Sequence, residues 1–283
     1  MGFTKPIEHV TINYTNILYE ENRKMKKIIT LVLALVMCLS LAGCGDSDSD
    51  SAKIKEKGKF IVGMTEFEPM DYKDDAGNWI GFDADMASKF AEKLGVDVEF
   101  SVIDWDNKAL ELDAGSIDCV WNGMTLTDEV KSAMDCSNEY FNNSQVVIVP
   151  TDKADQYKDE ASIKDLKFAV EAGSAGESEA QSHGLQSTPV KDQAAALMEV
   201  ASGTSDAAIV DYLMAAAMVG EGTSYENLTY TVKLNDEKYG VGFRKGSDLV
   251  AELNQFFKDS YSDGSMKDIA DKYKIGDALI EQK

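Results

Sequence analysis

The stretch Leu110-Glu111-Leu112-Asp113-Ala114-Gly115-Ser116-Ile117-Asp118 returns at a constant offset of 88 as Met198-Glu199-Val200-Ala201-Ser202-Gly203-Thr204-Ser205-Asp206. Each copy reads as the end of a helix, a glycine turn, an aspartate and the start of a strand. Each strand runs on to a polar end, Asn122-Gly123 in one copy and Val210-Asp211 in the other. A repeated junction of this kind predicts two lobes of similar build. Ligands of open α/β sheets gather at the carboxyl ends of the strands, so the two polar ends are the first candidates for a site.

The flanking sequence alternates in the same manner. Residues 59–64 read as a strand, and residues 83–94 as a helix with Phe82, Met86, Phe90 and Leu94 at four-residue spacing, stopped by Gly95. Residues 96–102, 117–124, 165–172, 206–211 and 239–243 predict further strands with helical stretches between them. Near the end, residues 247–261, with Leu249, Leu253, Phe256 and Phe257 inward, and residues 265–273 predict two core helices. Interleaved strands and helices argue for α/β lobes, each a mixed, mostly parallel sheet flanked by helices.

The N-terminal part predicts where the protein works. Residues 25–44 read MKKIITLVLALVMCLSLAGC: two lysines, an apolar run over 28–39, then Leu41-Ala42-Gly43-Cys44. This is a signal peptide layout over 25–43, and a run of about 12 residues falls short of the roughly 20 a spanning helix needs. The segment before Cys44 resembles a bacterial lipobox. Cleavage there would let the Cys44 thiol carry a diacylglycerol and anchor the exported chain on the outer face of the cell membrane. Residues 44–52, including GDSDSDS over 45–51, then read as a polar, flexible tether. Residues 1–24 carry no export pattern, so Met25 is expected to be the native start and 1–24 a non-native extension.

The formal charge is -22, and beyond residue 44 there are 47 acids against 23 bases. Nucleic acid is excluded as a partner, since phosphate binding needs a basic face. Long-range steering mildly favours cationic ligands. Of the four cysteines, Cys38 leaves with the signal peptide and Cys44 takes the lipid. Cys119 and Cys136 remain as an even pair in an oxidising compartment, either a disulfide or two buried thiols. Enzyme classes find little support: His9 lies outside the mature chain, and His183 sits in the polar Ser182-His183-Gly184, so a serine triad has no base. No Cys or His cluster has metal spacing, and no phosphate loop or dinucleotide fingerprint occurs, so neither cofactor nor metal is expected.

A series of segments then accumulates in order: Ile61-Val62-Gly63 leading to Phe67-Glu68-Pro69-Met70; Gly81-Phe82-Asp83-Ala84-Asp85-Met86; Trp105; Ala114-Gly115-Ser116-Ile117-Asp118; Gly123-Met124-Thr125-Leu126-Thr127; Asp135-Cys136-Ser137-Asn138-Glu139-Tyr140; and Val241-Gly242-Phe243-Arg244-Lys245-Gly246. Over nearly all of residues 53–276 the chain resembles the polar amino acid family of extracellular solute-binding proteins. The resemblance implies a two-lobed periplasmic-binding-protein clamshell with two crossover strands as hinge, lobe 1 being 53–142 plus 241–283 and lobe 2 143–240. Ligand would close the hinge, and an ABC permease with its ATPase would distinguish the closed, loaded form. A monomeric binding lipoprotein is thus expected, with a clamshell dehydratase and a sensory receptor as rival readings.

Carried over residue by residue, the resemblance implies that Phe67 and Trp105 sandwich the ligand's carbon skeleton. Asp211 receives its α-ammonium, since a desolvated ammonium needs an anionic partner. Asn122, Gly123 and Thr125 offer backbone and hydroxyl groups, Glu171 faces the ligand's side chain, and Ser174 belongs to a glycine turn, Gly173-Ser174-Ala175, that presents amides to a carboxylate. The family's carboxylate-gripping arginine, three residues past Thr127, is here Val130. Three solutions stay open. Neighbouring Lys131 replaces the arginine, although it points about 100° away on a helix and lacks the planar fork. Backbone amides around Thr125 and Ser174 take the carboxylate. Or the ligand is a cationic amine without one, which two acids and an aromatic pair would suit.

Overall fold

The computed structural model describes residues 49–283; the leader, Cys38, Cys44, His9 and the tether through residue 48 lie outside the described residues. The described chain opens on α1 (Asp50–Lys57), capped by Ser49, and Ser51 N–H donates to Asp248 Oδ1 at 3.1 Å. Residues 49–52, expected as tether, are therefore part of the folded body. A serine cap followed by an acid in the first turn starts a helix, and this local chemistry outweighs the polar composition.

There follow β1 (Lys59–Met64), the hairpin β2 (Tyr72–Lys73) and β3 (Trp79–Ile80), α2 (Phe82–Leu94) and β4 (Asp97–Val102). The row Phe82, Met86, Phe90 and Leu94 of α2 is buried, as its spacing predicts. A 3₁₀ turn at Trp105–Asn107 leads into α3 (Lys108–Asp113), β5 (Cys119–Val120), α4 (Asp128–Ala133) and β6 (Asp135–Cys136). The chain crosses through β7 (Phe141–Asn143) and builds β8 (Gln145–Pro150), β9 (Lys167–Glu171), α5 (Ala175–Ser182), β10 (Gln186–Val190), α6 (Gln193–Ser202), β11 (Ala207–Asp211), α7 (Tyr212–Met218) and β12 (Leu228–Lys233). It returns through β13 (Glu237–Tyr239) to β14 (Gly242–Phe243), α8 (Leu249–Ser262) and α9 (Ser265–Lys272).

Two five-stranded sheets result, ordered β4-β1-β5-β14-β6 and β10-β9-β11-β8-β12. In both, the first three strands run parallel and the last two pairings are antiparallel. The sheets are thus less parallel than the sequence suggests, because β14 and β8 enter each sheet directly from the crossover strands. Those strands, β7 and β13, pair antiparallel between the lobes, and the fold is a two-lobed clamshell. The strand expected over 117–124 shrinks to β5, because the chain beyond Val120 turns inward: Trp121 Nε1–H and Gly123 N–H donate to the two oxygens of buried Asp83. Residues 239–243 divide between β13 and β14, since this segment passes from hinge to sheet.

The repeated stretch is a structural duplication. Gly115 and Gly203 both close their helices in the left-handed region, at φ 75° and 77°. In lobe 1 the Asp118 N–H donates to Ile61 O at 2.7 Å while Asp118 Oδ2 accepts from Ile61 N–H at 2.7 Å. In lobe 2 Asp206 repeats this brace on Lys167, at 3.0 and 3.1 Å. The aspartates bind their strand to β1 and to β9 in the same way, which sets Thr65 equivalent to Glu171 and Gly123 to Asp211. Arg244 reinforces the first copy only, donating through Nη1 to Leu112 O and Ile117 O at 3.1 and 2.8 Å.

A disulfide between Cys119 and Cys136 is ruled out by strand order. β14 lies between their strands, with Gly242 paired to Val120 on one side and Cys136 on the other. Two strand spacings, about 9.5 Å, exceed the roughly 7 Å that a disulfide can bridge between Cα atoms. Both cysteines are free thiols, Cys119 buried and Cys136 half-buried.

Candidate functional site

A cavity of about 270 Å³ lies between the lobes, near the lower end of the roughly 300–1,000 Å³ typical of small-molecule sites. The strand ends build it. Lobe 1 brings Phe67 from the loop after β1, Trp105 from the 3₁₀ turn after β4, and Asn122, Gly123 and Thr125 from the segment after β5. Lobe 2 brings Glu171 from the end of β9, Ser174 from the cap of α5, and Asp211 from the end of β11. All eight residues singled out in the sequence thus meet at one cavity, and Val130 lines it too. Lys131 does not; it is exposed on another face of α4. Its helical position beside Val130 turns it away, which corrects its candidacy as a carboxylate partner.

Several of these groups are already engaged within the protein. Asn122 Oδ1 accepts from the Thr65 N–H and hydroxyl, and its Nδ2 donates to Thr65 O and Asp71 Oδ2, all at 2.8–2.9 Å. Its side chain therefore fixes the strand end and has no donor left for a ligand. The Gly123 N–H donates to Asp83 at 2.6 Å, and the Thr125 hydroxyl to Glu237 Oε1 at 2.8 Å. The glycine turn is closed by a capping box: Ser174 Oγ accepts from the Glu177 N–H at 3.1 Å, and Glu177 Oε2 accepts from the Gly173 N–H at 2.8 Å. The expected backbone cradle for a carboxylate is thus largely filled by Glu177.

Two acids dominate what remains. Glu171 is 2% exposed, and its Oε1 has no hydrogen-bond partner among the described residues. Burial pushes its carboxyl up to about 8, against the milder pull of Thr65, Lys108 and Gln193. Asp211 accepts from Asn143, Gln145 and Gln193 side-chain amides, and its own N–H donates to Gln193 Oε1 at 2.8 Å. Burial, then the neighbouring Glu237 carboxylate, raises the Asp211 carboxyl well above its ordinary range. A cation entering the cavity would favour the charged form of both acids and displace their protons.

The lobes touch directly around this cavity. Lys108 Nζ of lobe 1 donates to Gly173 O of lobe 2 at 2.8 Å. Gly173, at φ 68°, lies so near Asp106 that a Cβ there would stand 2.6 Å from the Asp106 Cα. The Thr65 hydroxyl lies against the Glu171 carboxyl. Sequence reasoning missed Lys108, Glu177, Gln193 and Glu237. The Ser174-x-x-Glu177 spacing and the placement of Lys108 one turn after Trp105 were readable signals; nothing in the sequence marked Gln193 or Glu237. His183 stands at the end of α5 beside Glu160 and Glu179, away from the cavity.

A clamshell with a polar cleft between duplicated α/β lobes defines a solute-binding protein. The chain matches the family model of bacterial extracellular solute-binding proteins, family 3, over residues 60–276, and it belongs to that family. It is 27% identical over 230 residues to the arginine-binding extracellular protein ArtP of Bacillus subtilis, covering 78% of this chain and 88% of that protein. Among solved structures it is similar to the ancestral amino acid-binding protein AncCDT-1, a precursor of cyclohexadienyl dehydratase, at 31% identity and TM-score 0.73, covering 80% of this chain and 99% of that one. A histidine-bound ABC uptake transporter substrate-binding protein from Streptococcus pneumoniae gives 27% identity and TM-score 0.75, covering 83% and 100%.

Proposed function

We propose that this protein captures a small amine-bearing ligand, an amino acid, for an ABC importer, held on the outer face of the membrane by lipid on Cys44. The observation that carries the ligand class is the buried, unpartnered Glu171 oxygen beside Asp211 at the cavity wall. A buried carboxyl oxygen without a partner is costly, and a ligand ammonium supplies both a donor and the charge that favours the ionised form. Phe67 and Trp105 offer aromatic surface to the rest of the ligand. The relatives named for arginine and histidine support an amino acid. A second reading, a cationic amine with no α-carboxylate, is favoured by Val130 in the arginine's place and by Glu177 in the glycine turn.

Isothermal titration of the purified protein with L-arginine, L-histidine and their decarboxylated amines, agmatine and histamine, tests both. Saturable binding of an amino acid, with Trp105 fluorescence changing and no product by chromatography, is expected. Binding of the amines alone would favour the second reading, binding of none of the four would overturn the ligand class, and turnover would favour the dehydratase-like rival.

A further inference from the structure

Val130 offers a ligand carboxylate no donor, and the cavity lining holds a basic side chain on a different element. Lys108 is the one basic side chain lining the cavity among the described residues. It starts α3, one turn after Trp105, and its Nζ lies 5.1 Å from the centre of the Trp105 ring. Two of its three N–H groups are engaged, with Trp105 O at 3.2 Å and Gly173 O at 2.8 Å. The third has no partner among the described residues. Burial lowers the Lys108 pKa from its ordinary value, against the opposing charges of Glu129, which precedes Val130, of Glu171 across the cleft and of Asp106.

We propose that Lys108 is a specificity-determining residue that takes the ligand's carboxylate in place of the missing arginine. This rests on the amino acid reading above and deepens it: the ammonium of the ligand goes to Glu171 and Asp211, its carboxylate to the third N–H of Lys108. Lysine serves here as a point charge rather than a planar fork, and two backbone carbonyls hold it in place. The same contacts explain why an arginine at residue 130 is dispensable. Lys108 also touches Gly173 across the cleft, so its removal weakens closure for every ligand. What a carboxylate partner adds is a loss confined to ligands that carry a carboxylate.

The test compares L-arginine with agmatine, and L-histidine with histamine, on wild type, Lys108→Met, Lys108→Arg and Lys108→Met/Val130→Arg. A charged hydrogen bond corresponds to about 10- to 150-fold in affinity. Lys108→Met should therefore weaken amino acid binding by that much beyond its effect on the matched amine. Lys108→Arg should retain the preference, and Val130→Arg should restore it in the Lys108→Met background. An equal loss for acid and amine would overturn the assignment and leave Lys108 as an interlobe contact only. If wild type binds no member of either pair, the ligand class fails first and this reading fails with it.

Discussion

Replacing Gly173 by alanine separates closure from folding. The added Cβ would lie 2.6 Å from the Asp106 Cα and 2.7 Å from its Oδ1. Carbon atoms rest at about 3.5–4.0 Å, so the lobes must part by roughly 1 Å at this point. Parting them strains or breaks the bond from Lys108 to Gly173 O, a charged hydrogen bond of about 1.5–3 kcal/mol, and so weakens ligand binding by about 10- to 150-fold. The left-handed backbone costs alanine a further ~1 kcal/mol, but that turn lies wholly in lobe 2 and is strained whether the clamshell is open or closed. It lowers Tm by roughly 2–4 °C and leaves affinity alone. Gly203→Ala is the matched control: φ is 77° and nothing lies within 4 Å of the new Cβ. Titration with L-arginine, thermal unfolding, and small-angle scattering with and without ligand read the three effects. Gly173→Ala binding and compacting as wild type, with the Tm loss alone, would refute the reasoning.

Three further outcomes follow from buried groups. Glu171 at about 8 and Asp83 at about 7 hold protons in the folded protein that the unfolded chain has lost, so Tm of the free protein should fall as pH rises from about 5 to 8, and Glu171→Gln should flatten the slope. Over the same window affinity for a cationic ligand should rise, with proton release at pH 7 detected by titration in buffers of different ionisation enthalpy; uptake, or no pH dependence, would contradict the placement of the ammonium at Glu171. In the native mature protein half-buried Cys136 should react slowly with a thiol reagent and Cys119 only after unfolding, while reductant should leave Tm unchanged.

Much of the fold was legible because its signals are local and repeated. The four-residue row of α2, the helix caps and the duplicated glycine-aspartate junction all act within a few residues. The two polar strand ends, Asn122-Gly123 and Asp211, line one cavity together with Phe67, Trp105, Thr125, Glu171 and Ser174, which the family resemblance picked out. What could not be read was which polar atoms are already engaged. Asn122 looks free in sequence, yet its four bonds go to Thr65 and Asp71, residues about 50 to 60 positions away. The status of Cys119 and Cys136 depended on β14, which arrives more than 100 residues later to lie between them. Lys108 escaped because its significance lies in a carbonyl of the other lobe.

The duplication also shows where the two lobes must differ. The braces at Asp118 and Asp206 make Thr65 the counterpart of Glu171, and Gly123 the counterpart of Asp211. At both positions lobe 2 carries an acid where lobe 1 carries a neutral residue. Acids in both copies would set four carboxyls around a cavity of about 270 Å³, and their repulsion would oppose closure. With acids on one side only, closing brings Glu171 against the Thr65 hydroxyl instead of a second charge. Lobe 2 can then hold an ammonium by itself, but the Phe67 and Trp105 rings and the Lys108 charge come from lobe 1. Under the proposed function, a ligand satisfied only by both lobes would bind the closed form more tightly than the open one, and that difference in affinity would drive the clamshell shut.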